Sequence, residues 1–450
     1  MRKRPRQHSC IKKVVHRVSL WMQNVLCGCR WLLRRISFLK SWSIVFALIG
    51  ALVLSICCYI VENQPYNLME KSLVYYLLEW PFKTTGTTDN EDARFINISH
   101  DRQLVNIDPR DSTAGNTDIT DRNKLLGFLQ LLERDKVRYK YILMDIRFEK
   151  GLSTPVDTLL FRQICRMRNI CIAHHNNDAW NNYEIAFDSL REKTGMSDYA
   201  QFGFESNFSR YTFLQDGKPS LALKMYDESR QQPTSIKRFR HWPVYTSGRY
   251  LCTNSPMLAV KGNIYDKMNA PVMEDGPGFI YNYYEDLGAD ILSLEGRNLA
   301  EDYKDKYLIV ADFENDMHDT YAGSVPGAYL TWLAFLHLRD GHHLLRWSFV
   351  FLMFLFYAAI FYFLFVINRI ARRKWASRTR MRPFLLGIMR WIGSCGLLYL
   401  VTFIAYLAFA VRYNITIPIL GVIIANFIIN IANNNEKNNN TSGLDATPAA

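Results

Sequence analysis

The chain has 450 residues, 49% of them hydrophobic, with 54 Lys and Arg against 42 Asp and Glu for a formal net charge of +12. Residues 1–40 hold eleven Lys/Arg and no acid, residues 368–390 hold eight and no acid, and the remainder sums to −7. Positive charge confined to the flanks of apolar runs is a topology and lipid signal, which excludes nucleic acid as a partner and leaves membrane lipids.

In chain order, residues 1–42 form a basic cytoplasmic segment. Its stretch 11–40 interleaves apolar and basic positions at near-helical spacing. That predicts an amphipathic helix on the inner leaflet, or a plain stop-transfer flank, with Arg34, Arg35 and Lys40 at the headgroups. Residues 43–61 carry no charge, and 19 residues at ~1.5 Å each suit a ~30 Å hydrocarbon core. The long preceding segment makes this an uncleaved signal anchor rather than a signal peptide.

Residues 62–346 read as a water-soluble domain, hidden in a whole-chain mean hydropathy of −0.10. Residues 94–99 predict a strand, followed by a polar loop through Gly115. Leu125, Leu126, Phe128, Leu129 and Leu132 recur at helical spacing in 118–132, with Thr117 or Thr120 as N-cap. A strand at 141–148, a helix at 155–167 and a strand beginning at 170–173 complete β-α-β-α-β. That order predicts an α/β fold with a mostly parallel sheet flanked by helices. Residues 208–213 and 220–226, around Asp216-Gly217-Lys218-Pro219, suggest a hairpin running into a helix, whereas 227–260 show no clear period. Strands are expected at 279–284 and 307–312, and a helix at 326–338 ending at Asp340-Gly341.

Three further apolar spans follow, at 347–367, 391–411 and 415–431, making four transmembrane helices. The loop 368–390, with Arg372, Arg373 and Lys374 at the lipid surface, stays cytoplasmic, so 62–346 lies outside. Four crossings return the tail 432–450 to the cytoplasm, and its Asn-rich composition predicts disorder.

Cys165, Cys171 and Cys252 are the cysteines of the outer domain, an odd number without a disulfide framework. Cys165 and Cys171 are close enough to bridge, but the apolar run around Cys171 favours a buried free thiol. Ligands of open α/β sheets gather beyond the carboxyl ends of the strands, where Asp145 and Asp312 fall. Asp312, Glu314, Asp316, His318 and Asp319 alternate acids with a histidine. The pattern suits ligand binding, a divalent cation or acid–base work, and equally a solvated loop. Its spacing is not that of an EF-hand, and no Walker or Gly-x-Ser-x-Gly motif appears, so no catalytic residue and no cofactor beyond that cation are assigned.

The layout, the helix-strand unit 125–151 ending in YILMDIRFEKG, and the block KDKYLIVADFENDMHDTYAGSVPGAYLTWLAFLHL (304–338) resemble the type-2 CHASE sensors, extracellular sensory domains associated with cyclases and histidine kinases. In the second block a strand meets an acidic loop, then a turn with Gly323, Pro326 and Gly327, then a helix toward the membrane. The resemblance implies one span, an external α/β domain and three closing spans, in the inner membrane of a bacterium. Sequons at Asn97 and Asn207 would carry sugar only in a eukaryotic secretory pathway. Family members usually end in a cytoplasmic kinase, cyclase or phosphodiesterase; residues 432–450 are not one.

The expectation is a stand-alone sensory or signal-input protein. Its outer domain binds an unknown ligand or partner and relays through the spans to a separate effector, with a homodimer as a further option. Pro326, Gly327, Trp332 and Leu338 mark the relay helix, running through 339–346 into the second span. The alternatives are an envelope enzyme centred on residues 312–319 and a structural envelope scaffold.

Overall fold

A computed structural model describes residues 42–63, 92–107, 115–148, 152–174, 188–197, 200–202, 208–231, 235–240, 242–256, 258, 284–286, 299–320 and 323–375. Beyond these it describes 393, 396–401, 403–404 and 418–424. Two compact units emerge: Met1–Ile56 with Leu352–Ser394 and Leu420–Ala450, and Cys57–Phe351 with Cys395–Ile419.

The second unit is built on a parallel sheet. Helix α1 (Trp42–Glu62) delivers the chain to it, and β1 (Ala93–Asn97) opens the sheet. An antiparallel hairpin follows, β2 (Arg102–Asn106) and β3 (Asn116–Thr120), where a plain loop was expected. The next helix therefore starts later than expected: α2 is Arg122–Arg134, capped by Asp121, whose side chain accepts from the backbone of Asn123 and Lys124, rather than by Thr117 or Thr120. Strand β4 (Tyr141–Asp145), α3 (Asp157–Arg166) and β5 (Ile170–His174) then reproduce the expected alternation, the first two with shorter bounds.

Strands β6 (Thr194–Met196), β7 (Ala200–Phe202) and β8 (Phe208–Tyr211) lead to a tight hairpin, β9 (Leu214–Gln215) and β10 (Lys218–Pro219). Asp216 and Gly217, both with positive φ, make its turn. Ser220 caps α4 (Leu221–Ser229) through the Leu223 N–H. Where no period was legible, three three-residue strands form a meander: β11 (Ile236–Arg238), β12 (Tyr245–Ser247) and β13 (Tyr250–Cys252). Of the strand expected at 279–284 only Tyr284 is described; it opens β14 (Tyr284–Asp286), and the rest lies outside the described residues. Strands β15 (Tyr307–Ala311), β16 (Met317–Thr320) and β17 (Gly323–Pro326), helix α5 (Gly327–Arg339), strand β18 (Leu344–Leu345) and helix α6 (Trp347–Trp375) finish the described chain.

The central sheet has the order β14-β1-β15-β4-β5-β6, parallel at each pairing. Strands β4, β5 and β15 are apolar on both sides because both faces are covered. Tyr141, Leu143, Ile309 and Ala311 join a core with α4 and α5, while Ile142, Met144, Leu308 and Val310 join a second with α2 and α3. At ~25 cal/mol per Å² of apolar surface buried, two such cores are the main stabilising contribution. Gly195 lets β6 approach α4, since a Cβ there would lie 2.8 Å from the Leu221 Cα.

In the first unit α1 and α6 pack closely, with a Cβ on Gly50 falling 3.3 Å from the Phe361 ring. Ala47, Ala51 and Leu54 share this buried side, while Val45, Phe46, Leu48, Ile49, Leu52 and Val53 are exposed. Two described helices are long and apolar enough to cross a membrane, Ile44–Glu62 and Trp347–Leu364, with only 22% and 33% of each buried. The third and fourth expected spans, 391–411 and 415–431, fall largely outside the described residues; their described parts are helical.

Candidate functional site

The sheet's carboxyl edge holds the acids singled out from sequence, but in two separate groups. Ala311 pairs with Asn97 on one side and Asp145 on the other, so Asp312 leaves the sheet between β1 and β4. Its Oδ1 accepts from the Ser99 hydroxyl at 2.7 Å and from the backbone N–H groups of Glu314 at 3.1 Å and Asn315 at 2.8 Å. Its Oδ2 meets Arg102. Burial alone would raise the Asp312 pKa, but the Asn315 and Ser99 hydrogen bonds and the Arg102 charge together hold it below the usual carboxylate value. Glu314 accepts from Asn97 Nδ2 at 2.9 Å and lies 3.2 Å from His100. Both acids are thus ties that close the end of β15 onto β1.

His318 anchors the other group. Its Nε2 lies 3.2 Å from Asp316 and its ring rests on Gly327, where an added Cβ would meet that nitrogen at 2.8 Å and Asp316 at 2.6 Å. The Asp316 hydrogen bond, opposed by burial and helped by the charges of Asp316, Asp145 and Asp319, raises the His318 pKa. This edge therefore presents an imidazole held toward its cationic form among three carboxylates. Among the described residues no group of three or more His, Cys, Asp and Glu is placed to hold a metal ion.

The expected relay helix is a core element. Trp332 is fully buried, stacked on Phe335 at 5.2 Å and set edge-on to Phe95 at 6.4 Å, and Leu338 is buried with it. Pro326 is the N-cap and Gly327 the first helical residue. The helix does not run on into the second apolar helix. It stops at Arg339, the chain turns at Gly341 (φ 74°), and 344–345 form β18 against β13. Two residues after Leu344, Arg346 leads directly into α6.

A second built site lies where α1 ends. Arg210, 1% exposed, donates from Nη1 to the Glu62 carbonyl at 2.6 Å and the Ser255 carbonyl at 2.8 Å, and pairs with the Glu62 carboxylate at 3.3 Å. The Tyr59 hydroxyl accepts from the Tyr245 N–H at 2.9 Å and reaches the Tyr245 and Cys252 carbonyls at 3.2 and 3.1 Å. Asn63 Oδ1 accepts from the Asn254 N–H at 2.6 Å. The last turn of α1 is thereby fixed to β8 and to the meander. The meander in turn holds the approach to α6, through β13–β18 pairing and the Thr253 N–H donated to the His343 carbonyl at 2.9 Å. Breaking a buried ion pair of this kind, by removing one partner, costs more than the pair itself adds to stability.

Sequence reasoning missed this junction. Its only signals are Glu62, a lone acid directly after an uncharged run, and Arg210, a lone cation in the aromatic strand FSRYTF (208–213). Of the cations expected at the lipid surface, Arg372, Arg373 and Lys374 lie on the last turns of α6, while Arg34, Arg35 and Lys40 fall outside the described residues. Compared with known family models, curated proteins and solved structures, the chain matches none.

Proposed function

We propose that the chain is an integral membrane signal-input protein of the type-2 CHASE kind, with the α/β domain outside a bacterial inner membrane and a separate effector as its output. One observation carries this reading: the α/β domain is fastened to the last turn of α1 by Glu62–Arg210 and to the start of α6 by β13–β18. A ligand that favours one packing of the domain over another would bias both helix ends by its differential affinity. The exposed apolar surfaces of α1 and α6 support a lipid environment, since core helices are mostly buried. The edge around His318 and Asp145 is where such a ligand would be sensed.

In-membrane crosslinking of tagged full-length protein tests this proposal. Recovery of a cytoplasmic or membrane-bound kinase, cyclase or comparable effector supports it; recovery of envelope-building proteins alone favours a scaffold.

A further inference from the structure

We infer that His343 is the catch of an acid-released latch: taking up a proton drives its ring out of the core and frees β18 from β13. The latch belongs to the α/β domain itself; only its use, with acidity as an input to an effector, rests on the reading above. His343 is 1% exposed and closes the turn that follows α5. Its ring stands edge-on to Phe213 at 6.4 Å and to Tyr226 at 6.1 Å. Neither ring nitrogen is in hydrogen-bonding geometry with a partner. Around it α4 brings Tyr226 and Arg230, α5 brings His337, the turn brings His342, and β13 brings Cys252 opposite Leu344. Arg230 and His342 oppose a proton on the ring, and only the His337 main chain favours one. The acids of α4 and of the turn are engaged elsewhere. Asp227 accepts from the Ser235 N–H at 3.1 Å, Glu228 pairs with Lys224 at 2.7 Å, and Asp340 with Arg339 at 3.1 Å. A charged imidazole would therefore sit among apolar rings with no counter-ion, and leaving that seat relieves the cost.

The same residue also holds the seam. The His343 carbonyl accepts from the Thr253 N–H at 2.9 Å and from its hydroxyl at 3.2 Å. Beyond it β18 adds two register pairs, Leu344 with Cys252 and Leu345 with Leu251. Strand β18 is the edge of its sheet, and Gly341, at φ 74°, gives the chain a hinge just before the catch. A two-residue edge strand with few bonds opens at much lower cost than the buried six-stranded sheet, so release is local rather than global. Ring and seam leave together because one residue carries both. Leu345 runs through Arg346 into Trp347, the first residue of α6, so an open latch slackens the domain's hold on that helix start.

The test is hydrogen exchange read by mass spectrometry on the solubilised full-length chain between pH 7 and pH 4, each rate normalised to the intrinsic rate of its amides. An imidazole that titrates at about 4 in its seat and at about 6.5 once released makes opening roughly 100-fold more favourable at pH 4 than at pH 7. Peptides spanning 251–253 and 344–345 should show that rise, and those of β4 and β15 should not. His343→Phe should flatten the rise, and His343→Leu provides a second neutral side chain should the larger ring fail to fit. His342→Gln, at an exposed position, should keep it. An equal rise in β4 and β15, no rise at the seam, a rise that survives in the His343 variants, or its loss in His342→Gln would each overturn the inference. The exchange pattern needs no effector, so the latch can fail while the effector crosslink succeeds, and the reverse.

Discussion

Arg210 reaches the main-chain carbonyl of Glu62 at 2.6 Å and its carboxylate at 3.3 Å, with both side chains shut off from solvent. The two residues are 148 positions apart, so this contact ties the end of the first apolar helix to the interior of the α/β domain. Replacing Arg210 with Met strands a buried carboxylate, which costs about 3–5 kcal/mol. Urea unfolding of the solubilised full chain should show that loss for Arg210→Met and much less for the double variant Glu62→Leu, Arg210→Met. Equal losses in both would mean that packing, not charge, holds the junction.

Gly327 is required by the close approach of Asp316 and His318. Gly327→Ala should push the imidazole off its partner and destabilise the domain by about 1–3 kcal/mol. Proton NMR of labelled histidine would then find the His318 pKa falling back toward its ordinary value; an unchanged titration would show that the pair survives the added methyl group.

His343 sits between Phe213 and Tyr226 at 1% exposure, and burial lowers its pKa to about 4. A neutral folded imidazole with an ordinary unfolded pKa near 6.5 leaves the unfolded state binding more protons below that pH. Its stabilisation is complete above pH ~6.5 and is lost as the pH falls toward 4, by roughly 3 kcal/mol in all. His318, with a raised pKa, works the other way and contributes below pH ~6.5, losing its contribution as the pH rises through its folded pKa. Thermal melts across this range should lose much of their acid slope in His343→Phe, whatever that variant's stability at neutral pH.

Cys171 is buried on β5 beside Tyr141, and burial pushes its thiol up to about 12. Cys165 is only partly buried and forms no disulfide. Native alkylation followed by mass spectrometry should modify Cys165 and spare Cys171 and Cys252, with no 165–171 disulfide. Modification of Cys171 at the same rate would contradict the packed sheet.

The elements legible in the sequence were those whose burial writes itself as a long apolar pattern. YILMD and YLIVA are covered on both faces, and Leu125 to Leu132 line one helical face. The β2–β3 hairpin escaped because RQLVN and NTDIT are mostly polar or exposed, Leu104 included at 73%, with Ile119 the one buried apolar side chain of the pair. The meander escaped because three residues are too few to show a period. At the candidate site the residue types were visible, but not that Asp312 and Glu314 turn inward to Ser99, Arg102 and Asn97 while His318 gathers the remaining acids. The junction depends on pairing across the chain, which a local pattern does not record.

The central claim is that the α/β domain lies outside the membrane, held by the helices on either side. Asp118, exposed on β3, offers the direct measurement. In a Cys165→Ser background, Asp118→Cys should react with a membrane-impermeant maleimide on intact cells whose outer barrier has been opened, while the chain resists carbonate extraction. Labelling only after the inner membrane is permeabilised would contradict the account.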